Sequence, residues 1–221
     1  MIRVLIADDQ GLVRAGLAAL LGAEPDIEVV GTAADGDQAV EMARDLKPDV
    51  ACVDVRMPGR DGISVTRELC DPAAERQVPV LILTTFAIDD YVFAALEAGA
   101  SGFMLKDSEP ADILAAVRAV AAGNGTLDGS LTRTVIREFS RRRQTQPVTV
   151  AQGSDLLSPR ELDILLLLAQ GMSNEDIAGE LVLEVSTVKS HISRMLPKIG
   201  VRSRLQAVVW AYQHRVVEVE Q

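Results

Sequence analysis

Five short runs rich in β-branched and aliphatic residues recur about every 20 to 25 residues through the first half of the chain: Val4-Leu5-Ile6, Val29-Val30-Gly31, Val50-Ala51-Cys52-Val53, Val80-Leu81-Ile82-Leu83 and Gly102-Phe103-Met104-Leu105. Between them lie segments of helical period, roughly 11–22, 36–46, 61–70, 89–98 and 109–122. Few folds accommodate this alternation. The runs read as buried strands, and each parallel connection needs a crossover helix, so the expectation is an α/β fold: a parallel sheet with helices on both faces.

The pattern changes after residue 122. A further helix is expected from about Ser130 to Arg143, with Leu131, Val135, Ile136 and Phe139 on one side, and its basic end Arg141-Arg142-Arg143 reads as solvated. The stretch from Arg143 to Asp155 is polar, contains Pro and Gly, and lacks helical periodicity, as a linker does. From Leu157 onward the chain is all helical. Ser158-Pro159-Arg160-Glu161 carries a cap residue, Pro at the first helical position and Glu three residues after the cap. Four helices fit the remainder, about 159–170, 174–181, 185–199 and 203–215. The expected organisation is a first domain over 1–122, a connecting helix and linker over 123–154, and a small all-α four-helix domain over 155–221.

A length of 221 residues suits two such cores. No apolar run approaches the about 18 residues of a membrane-spanning helix, and the N-terminus turns acidic at Asp8-Asp9, unlike a signal peptide, so a cytoplasmic location is expected. Cys52 and Cys70 belong to no CxxC pattern or Cys/His cluster and read as core thiols. The net charge of −10 disfavours a chain that binds nucleic acid along its whole length. The charge is uneven, however. Residues 1–140 hold 12 Lys/Arg and 23 Asp/Glu, whereas Val185–Val217 hold six Lys/Arg and no acid, so any DNA contact belongs in that last stretch.

In open parallel sheets, functional groups gather beyond the carboxyl ends of the strands. There the sequence places Asp8 and Asp9 after the first strand, Asp54 at the end of the third, Thr84 at the end of the fourth and Lys106 after the fifth. Taken singly, these are ordinary caps, turn residues and surface lysines. Together they supply what phosphoryl transfer to a carboxylate needs. Three carboxylates at one edge repel one another, and a hard divalent cation such as Mg2+ offsets that. A nucleophilic Asp54 would form an acyl phosphate, with Lys106 and the Thr84 hydroxyl meeting phosphoryl oxygens. A haloacid-dehalogenase-type phosphatase would carry a second Asp two positions after the nucleophile, where this chain has Arg56. A nucleotide-binding fold is disfavoured because Asp8-Asp9-Gln10-Gly11 is neither GxGxxG nor a P-loop.

Across residues 1–122 the chain resembles the receiver domain of two-component response regulators, which is a flavodoxin-like (βα)5 fold. The resemblance is carried by Asp8-Asp9, Asp54 followed by Met57-Pro58-Gly59-Arg60-Asp61-Gly62, Thr84, and Phe103 three residues before Lys106. It implies a phosphoacceptor at Asp54 and Mg2+ ligation by Asp9, Asp54 and the backbone carbonyl of Arg56, with Asp8 assisting directly or through water. Thr84 and Lys106 would sense the phosphoryl group. Phe103 stands where the family has an aromatic that changes rotamer; it reads equally as that switch or as core.

The segments at about 174–181 and 185–199 have the length and spacing of a helix-turn-helix. In the first, Ile177, Ala178 and Leu181 turn inward. In the second, Val188, Ile192 and Met195 or Leu196 form the core stripe, leaving Thr187, Lys189, Ser190, Ser193 and Arg194 for a groove. The plain alternative is a helical bundle for protein contact. From Leu157 to about Arg215 the chain resembles the LuxR-type helix-turn-helix of the NarL/FixJ subgroup, through Leu157-Ser158-Pro159-Arg160-Glu161, Gly171-Met172-Ser173-Asn174, Ile177-Ala178, Thr187-Val188-Lys189-Ser190-His191 and Lys198 to Arg204. That resemblance implies DNA contact by Lys189 and its neighbours, with Arg202 and Arg204 among the basic groups. It also implies a dimer through the last helix, where Ala207, Val208, Ala211 and Tyr212 serve either dimer surface or core. Two departures stand out. Glu184 replaces a common Ser/Thr cap before the reading helix, and Pro197 should end or bend that helix.

The expected function is a non-enzymatic response regulator: phosphorylated on Asp54 by a sensor histidine kinase, it binds double-stranded DNA as a homodimer and regulates transcription. RNA polymerase is a further candidate partner. The alternative is a receiver-like transcription regulator that works without phosphorylation.

Overall fold

The computed structural model describes residues 1–74, 76–85, 89–127, 156–170, 172–201, 203–214 and 216–217. The helix expected over 130–143, the linker and Arg202 lie outside the described residues. The chain divides into two compact units, Met1–Leu131 and Thr132–Gln221.

The first unit alternates strands β1 Ile2–Ala7, β2 Ile27–Ala33, β3 Val50–Val53, β4 Val80–Thr84 and β5 Gly102–Leu105 with helices α1 Gly11–Gly22, α2 Gly36–Leu46, α3 Gly62–Leu69, α4 Asp89–Ala98 and α5 Pro110–Ala121. All pairings are parallel, in the order β2-β1-β3-β4-β5-β6. The sixth strand, β6 Thr126–Leu127, pairs Thr126 with Gly102 and Leu127 with Phe103 and extends the five strands expected from sequence.

Because strand side chains alternate between faces, each strand feeds two cores. Val4, Ile6, Val50, Cys52, Leu81, Leu83 and Met104 pack against Leu17 and Leu21 of α1 and Ile113, Val117 and Val120 of α5. The opposite parity, including Leu5, Ala51, Val53, Ile82 and Phe103, is equally buried, and on that side α2 meets β1 and β2 while α3 meets β4. Burial of each such Val, Leu, Ile or Phe is worth about 1.5–3 kcal/mol. Both cysteines are free and buried, and burial pushes the Cys52 thiol up to about 12.

Chain order reverses at β1: β2 lies on one side of it and β3 on the other. The crevice beyond the carboxyl ends of β1 and β3 is therefore the sheet's switch point, where such folds place ligands. Asp8-Asp9 and Asp54 follow those two strands directly. The chain after Asp54 folds back tightly: the Gly62 amide donates to the Val55 carbonyl at 2.9 Å, and a Cβ on Gly62 would meet the Asp54 carbonyl. Asp61 then caps α3 by accepting from the Ser64 amide at 2.7 Å.

The second unit comprises α6 Pro159–Ala169, α7 Asn174–Leu181, α8 Val185–Lys198 and α9 Arg204–Gln213. Its core unites Ile164, Leu165, Leu168, Ile177, Val188, Ile192, Met195, Ala207, Trp210 and Ala211. The α8 helix runs one residue past Pro197 and is closed by Ile199. No described helix is long and apolar enough to cross a membrane.

The crowding at Gly62 makes Gly62→Ala a specific test of the first unit. The substitution is expected to lower stability by about 1–3 kcal/mol, seen by circular dichroism as a lower urea midpoint with unchanged slope.

Candidate functional site

At the switch point the carboxylates of Asp8, Asp9 and Asp54 each bring an oxygen within 4.8 Å of the others. Asp8 and Asp54 are buried and Asp9 is exposed. Lys106, which follows β5, reaches between the two buried acids, its Nζ lying 2.7 Å from Asp8 Oδ2 and 3.1 Å from Asp54 Oδ2. These are ionic contacts: neither Lys106 Nζ nor Asp8 Oδ2 has a hydrogen bond of normal geometry. Burial pushes the Asp54 carboxyl up, Lys106 pulls it back, and the charge of Asp8 raises it again.

Three carboxylates against one ammonium leave the cluster with a net formal charge of −2. An all-oxygen donor set, with a buried carboxylate oxygen lacking a directed hydrogen bond, fits a hard divalent cation such as Mg2+. Asp8 is itself well fixed. Its Oδ1 accepts from the Gln10 amide at 2.9 Å, and Arg14 Nη1 donates to its carbonyl at 2.6 Å.

The remaining residues expected at this site lie in or directly after the neighbouring strands. Thr84 is fully buried at the end of β4, and its carbonyl accepts from the Lys106 amide at 2.9 Å. Arg56 lies in the loop that follows Asp54, with its side chain exposed. Phe103 is completely buried, in register with Ile82. An ion-pair chain that sequence reading missed holds this loop: Arg60 pairs with Asp37 of α2 at 3.0 Å and with Glu68 of α3, and Glu68 pairs with Arg44 at 2.6 Å.

In the second unit, α7 and α8 form the helix-turn-helix pair. Val188, Ile192 and Met195 face inward, while Lys189, Ser190, Ser193 and Arg194 are exposed and Thr187 is half-buried. Arg194 folds back on Ser190, donating to its Oγ at 2.8 Å and its carbonyl at 3.2 Å. Glu184 makes no side-chain cap bond to α8.

Arg204 has a structural role that its sequence position did not announce. It is half-buried and donates to Asn174 Oδ1 at 2.8 Å and to the Met172 carbonyl, and burial lowers its guanidinium to about 10, still charged at neutral pH. It ties the start of α9 to the start of α7. On α9, Ala207 and Ala211 are fully buried in the domain core, which removes them from any dimer surface.

Two more ties fix the pair. Arg160 Nη2 donates to the Leu181 carbonyl at 2.7 Å. Glu161 completes the capping box with Ser158 and receives Lys198 Nζ at 2.7 Å on both carboxylate oxygens. A second capping box joins Ser173 and Asp176.

An edge acid cluster on a doubly wound sheet, joined in one chain to a helix-turn-helix, defines a signal-receiving module coupled to a DNA-binding one. Residues 4–118 match the response regulator receiver domain, and residues 155–211 match the bacterial regulatory proteins of the luxR family. The chain is 42% identical over 217 residues to the transcriptional regulatory protein LiaR of Bacillus subtilis (strain 168), spanning 98% of this chain and 100% of that one. It is 38% identical over 213 residues to the nitrate/nitrite response regulator protein NarL of Escherichia coli (strain K12), spanning 96% of each. Among solved structures it is similar to response regulator ChrA of a heme-sensing two-component system, with TM-score 0.53, 37% identity and 98% of both chains covered. The chain belongs to the LuxR-type family of two-component response regulators, which regulate transcription.

The Glu161–Lys198 tie generates a pH prediction. Lys198 holds the Glu161 carboxyl at about 2 against an ordinary 4.5, with burial opposing. A folded value below the unfolded one means stabilisation that is present above pH 4.5 and lost as pH falls toward about 2. Glu161→Gln is expected to cost about 1.5–3 kcal/mol at neutral pH and to flatten the acid limb in that window. The single tryptophan, Trp210 in the core of this unit, reports both by fluorescence during urea unfolding.

Proposed function

We propose that this regulator is switched by phosphorylation of Asp54 and that the modified form binds DNA as a dimer. The observation that carries the reading is the Lys106 ammonium set 2.7 Å from Asp8 and 3.1 Å from Asp54 at the sheet's switch point. An Asp54 oxygen attacks the phosphorus of a phosphohistidine on a sensor kinase. The new P–O bond forms as the P–N bond breaks, and the imidazole nitrogen keeps the electron pair and takes a proton. Lys106 then moves its charge onto phosphoryl oxygens, and the Thr84 hydroxyl donates to one of them.

Asp9, Asp54 and the Arg56 backbone carbonyl, with Asp8 assisting, would hold Mg2+, which supplies neutralising charge for the incoming phosphoryl group. Movement of Thr84 would give Phe103 room to change rotamer and so bias the receiver between two states. In this reading the bounds are 1–122 for the receiver, 123–154 for the connector and 155–221 for the DNA-binding domain, in a cytoplasmic protein that catalyses no turnover of its own. DNA contact falls to Thr187, Lys189, Ser190, Ser193 and Arg194, with Arg202, while Arg204 supports the fold. RNA polymerase is the partner such a regulator would meet at a promoter.

The test is intact-protein mass after incubation with acetyl phosphate and Mg2+, with DNA mobility shift on the same samples. Wild type should gain one phosphoryl group and bind DNA more tightly, whereas Asp54→Asn should do neither. An Asp54→Asn protein that responds like wild type would overturn the mechanism. Affinity should also fall with salt, and Lys189→Ala should reduce the slope of log affinity against log salt by about 1.

A further inference from the structure

Among the described residues, only Lys47 and Val182 combine a side chain with a positive φ, and Val182, at φ 54 and ψ 54, is the one that is β-branched. A β-branched side chain crowds its own backbone in the left-handed region, where glycine or asparagine is the ordinary choice. The backbone needs the conformation: Val182 closes α7, with the Leu183 amide donating to the Ala178 carbonyl at 2.9 Å. Nothing in the domain's packing asks for valine, because the side chain is 90% exposed. A strained, solvated aliphatic group lowers stability without supporting the core, and such positions mark function.

Its place decides what it meets. Val182 lies in the turn of the helix-turn-helix, three residues before α8 begins, beside the end that enters a groove in this motif. We propose that Val182 is a specificity-determining residue that makes an apolar contact with DNA, either the C5-methyl of a thymine or the C–H edge of a deoxyribose. A protein partner fits less well. Among described residues of the second unit, the other large exposed hydrophobic is Leu156, before α6, and a lone valine is far smaller than a protein-binding core. It does match the scale of a single methyl contact, which is how thymine is told from cytosine in the major groove.

The inference rests on the DNA-binding reading of α8, so the experiment separates the two. Duplexes are selected from a random-sequence library with the full-length, acetyl-phosphate-treated wild type. Binding of Val182→Gly, Val182→Ala, Val182→Leu and Lys189→Ala to a selected duplex is then measured. Val182→Gly should raise the unfolding temperature followed at Trp210 by about 2–5 °C through relief of strain, yet bind the selected duplex about three- to ten-fold more weakly. Val182→Ala keeps the left-handed Cβ but loses the γ-branch, so it should lose the same affinity with a smaller thermal gain than Val182→Gly, while Val182→Leu should bind like wild type.

Replacing each thymine of the duplex in turn by deoxyuridine distinguishes the two DNA sources. A position where the change weakens wild type about three-fold but leaves Val182→Ala unaffected identifies a thymine methyl; a loss in Val182→Ala with no such position assigns the sugar edge. Unchanged binding by Val182→Ala, with Lys189→Ala weakened, overturns the role of Val182 alone. Unchanged binding by both overturns the DNA-binding reading of α8 as well.

Discussion

The first unit is organised around one buried ammonium. Lys106 lies between Asp8 and Asp54 in a crevice that leaves all three side chains almost wholly buried. Leaving either carboxylate there without its cation would be strongly destabilising, since an unpaired buried charge loses its hydration without replacement. The sheet order makes the arrangement achievable: β1 and β3 are neighbours, so acids remote in sequence emerge side by side, and β5 delivers the lysine from across β4. Yet the pairing is incomplete, because one ammonium cannot neutralise three carboxylates and its contacts lack good hydrogen-bond geometry. A site balanced in this way is receptive to further positive charge. Once that charge is supplied, it is receptive to an anionic group on Asp54.

The second unit uses charge for the opposite purpose. Glu161 with Lys198, Arg204 with Asn174 and Met172, and Arg160 with the Leu181 carbonyl tie helices to one another away from the hydrophobic core. Together they fix both ends of α7 and the C-terminal end of α8, and none of them uses the exposed face of α8. Lys189, Ser190, Ser193 and Arg194 lie on that exposed face. The stretch from Val185 to Val217 has no acid, and that follows from the same division: the acids that steady the helices come from α6 and α7, not from the reading helix.

Most of the architecture was legible because it is local. Strands two-sided in their apolarity, helices of the right period and a cap such as Ser158 announce themselves within a few residues, and the acid set was found because strand ends are identifiable once strands are. The parts that escaped are those in which a residue's partner is remote. Arg204 looks like one more basic residue near a reading helix until Asn174, thirty positions away, is seen to accept from it. Arg60, Glu68 and Arg44 form their chain only after α2 and α3 are packed. β6 is two residues long and carries no periodicity at all. Ala207 and Ala211 could be separated from a dimer surface only by seeing what covers them.

The conformation at Val182 is a different kind of omission. Sequence shows a valine in a turn, which is unusual but not informative, since the sign of φ is fixed by how α7 must end and α8 begin. Only when the left-handed backbone and the exposed side chain are seen together does the residue stand out as one that lowers stability with no compensating burial. The same logic applies at the other end of the chain, where Lys106 and Asp8 sit close without satisfying one another. In both units, local rules obeyed almost everywhere else are broken beside the groups proposed to meet something outside the protein. That coincidence is expected of a fold whose remaining packing is strong enough to hold a few residues in arrangements they would not adopt alone.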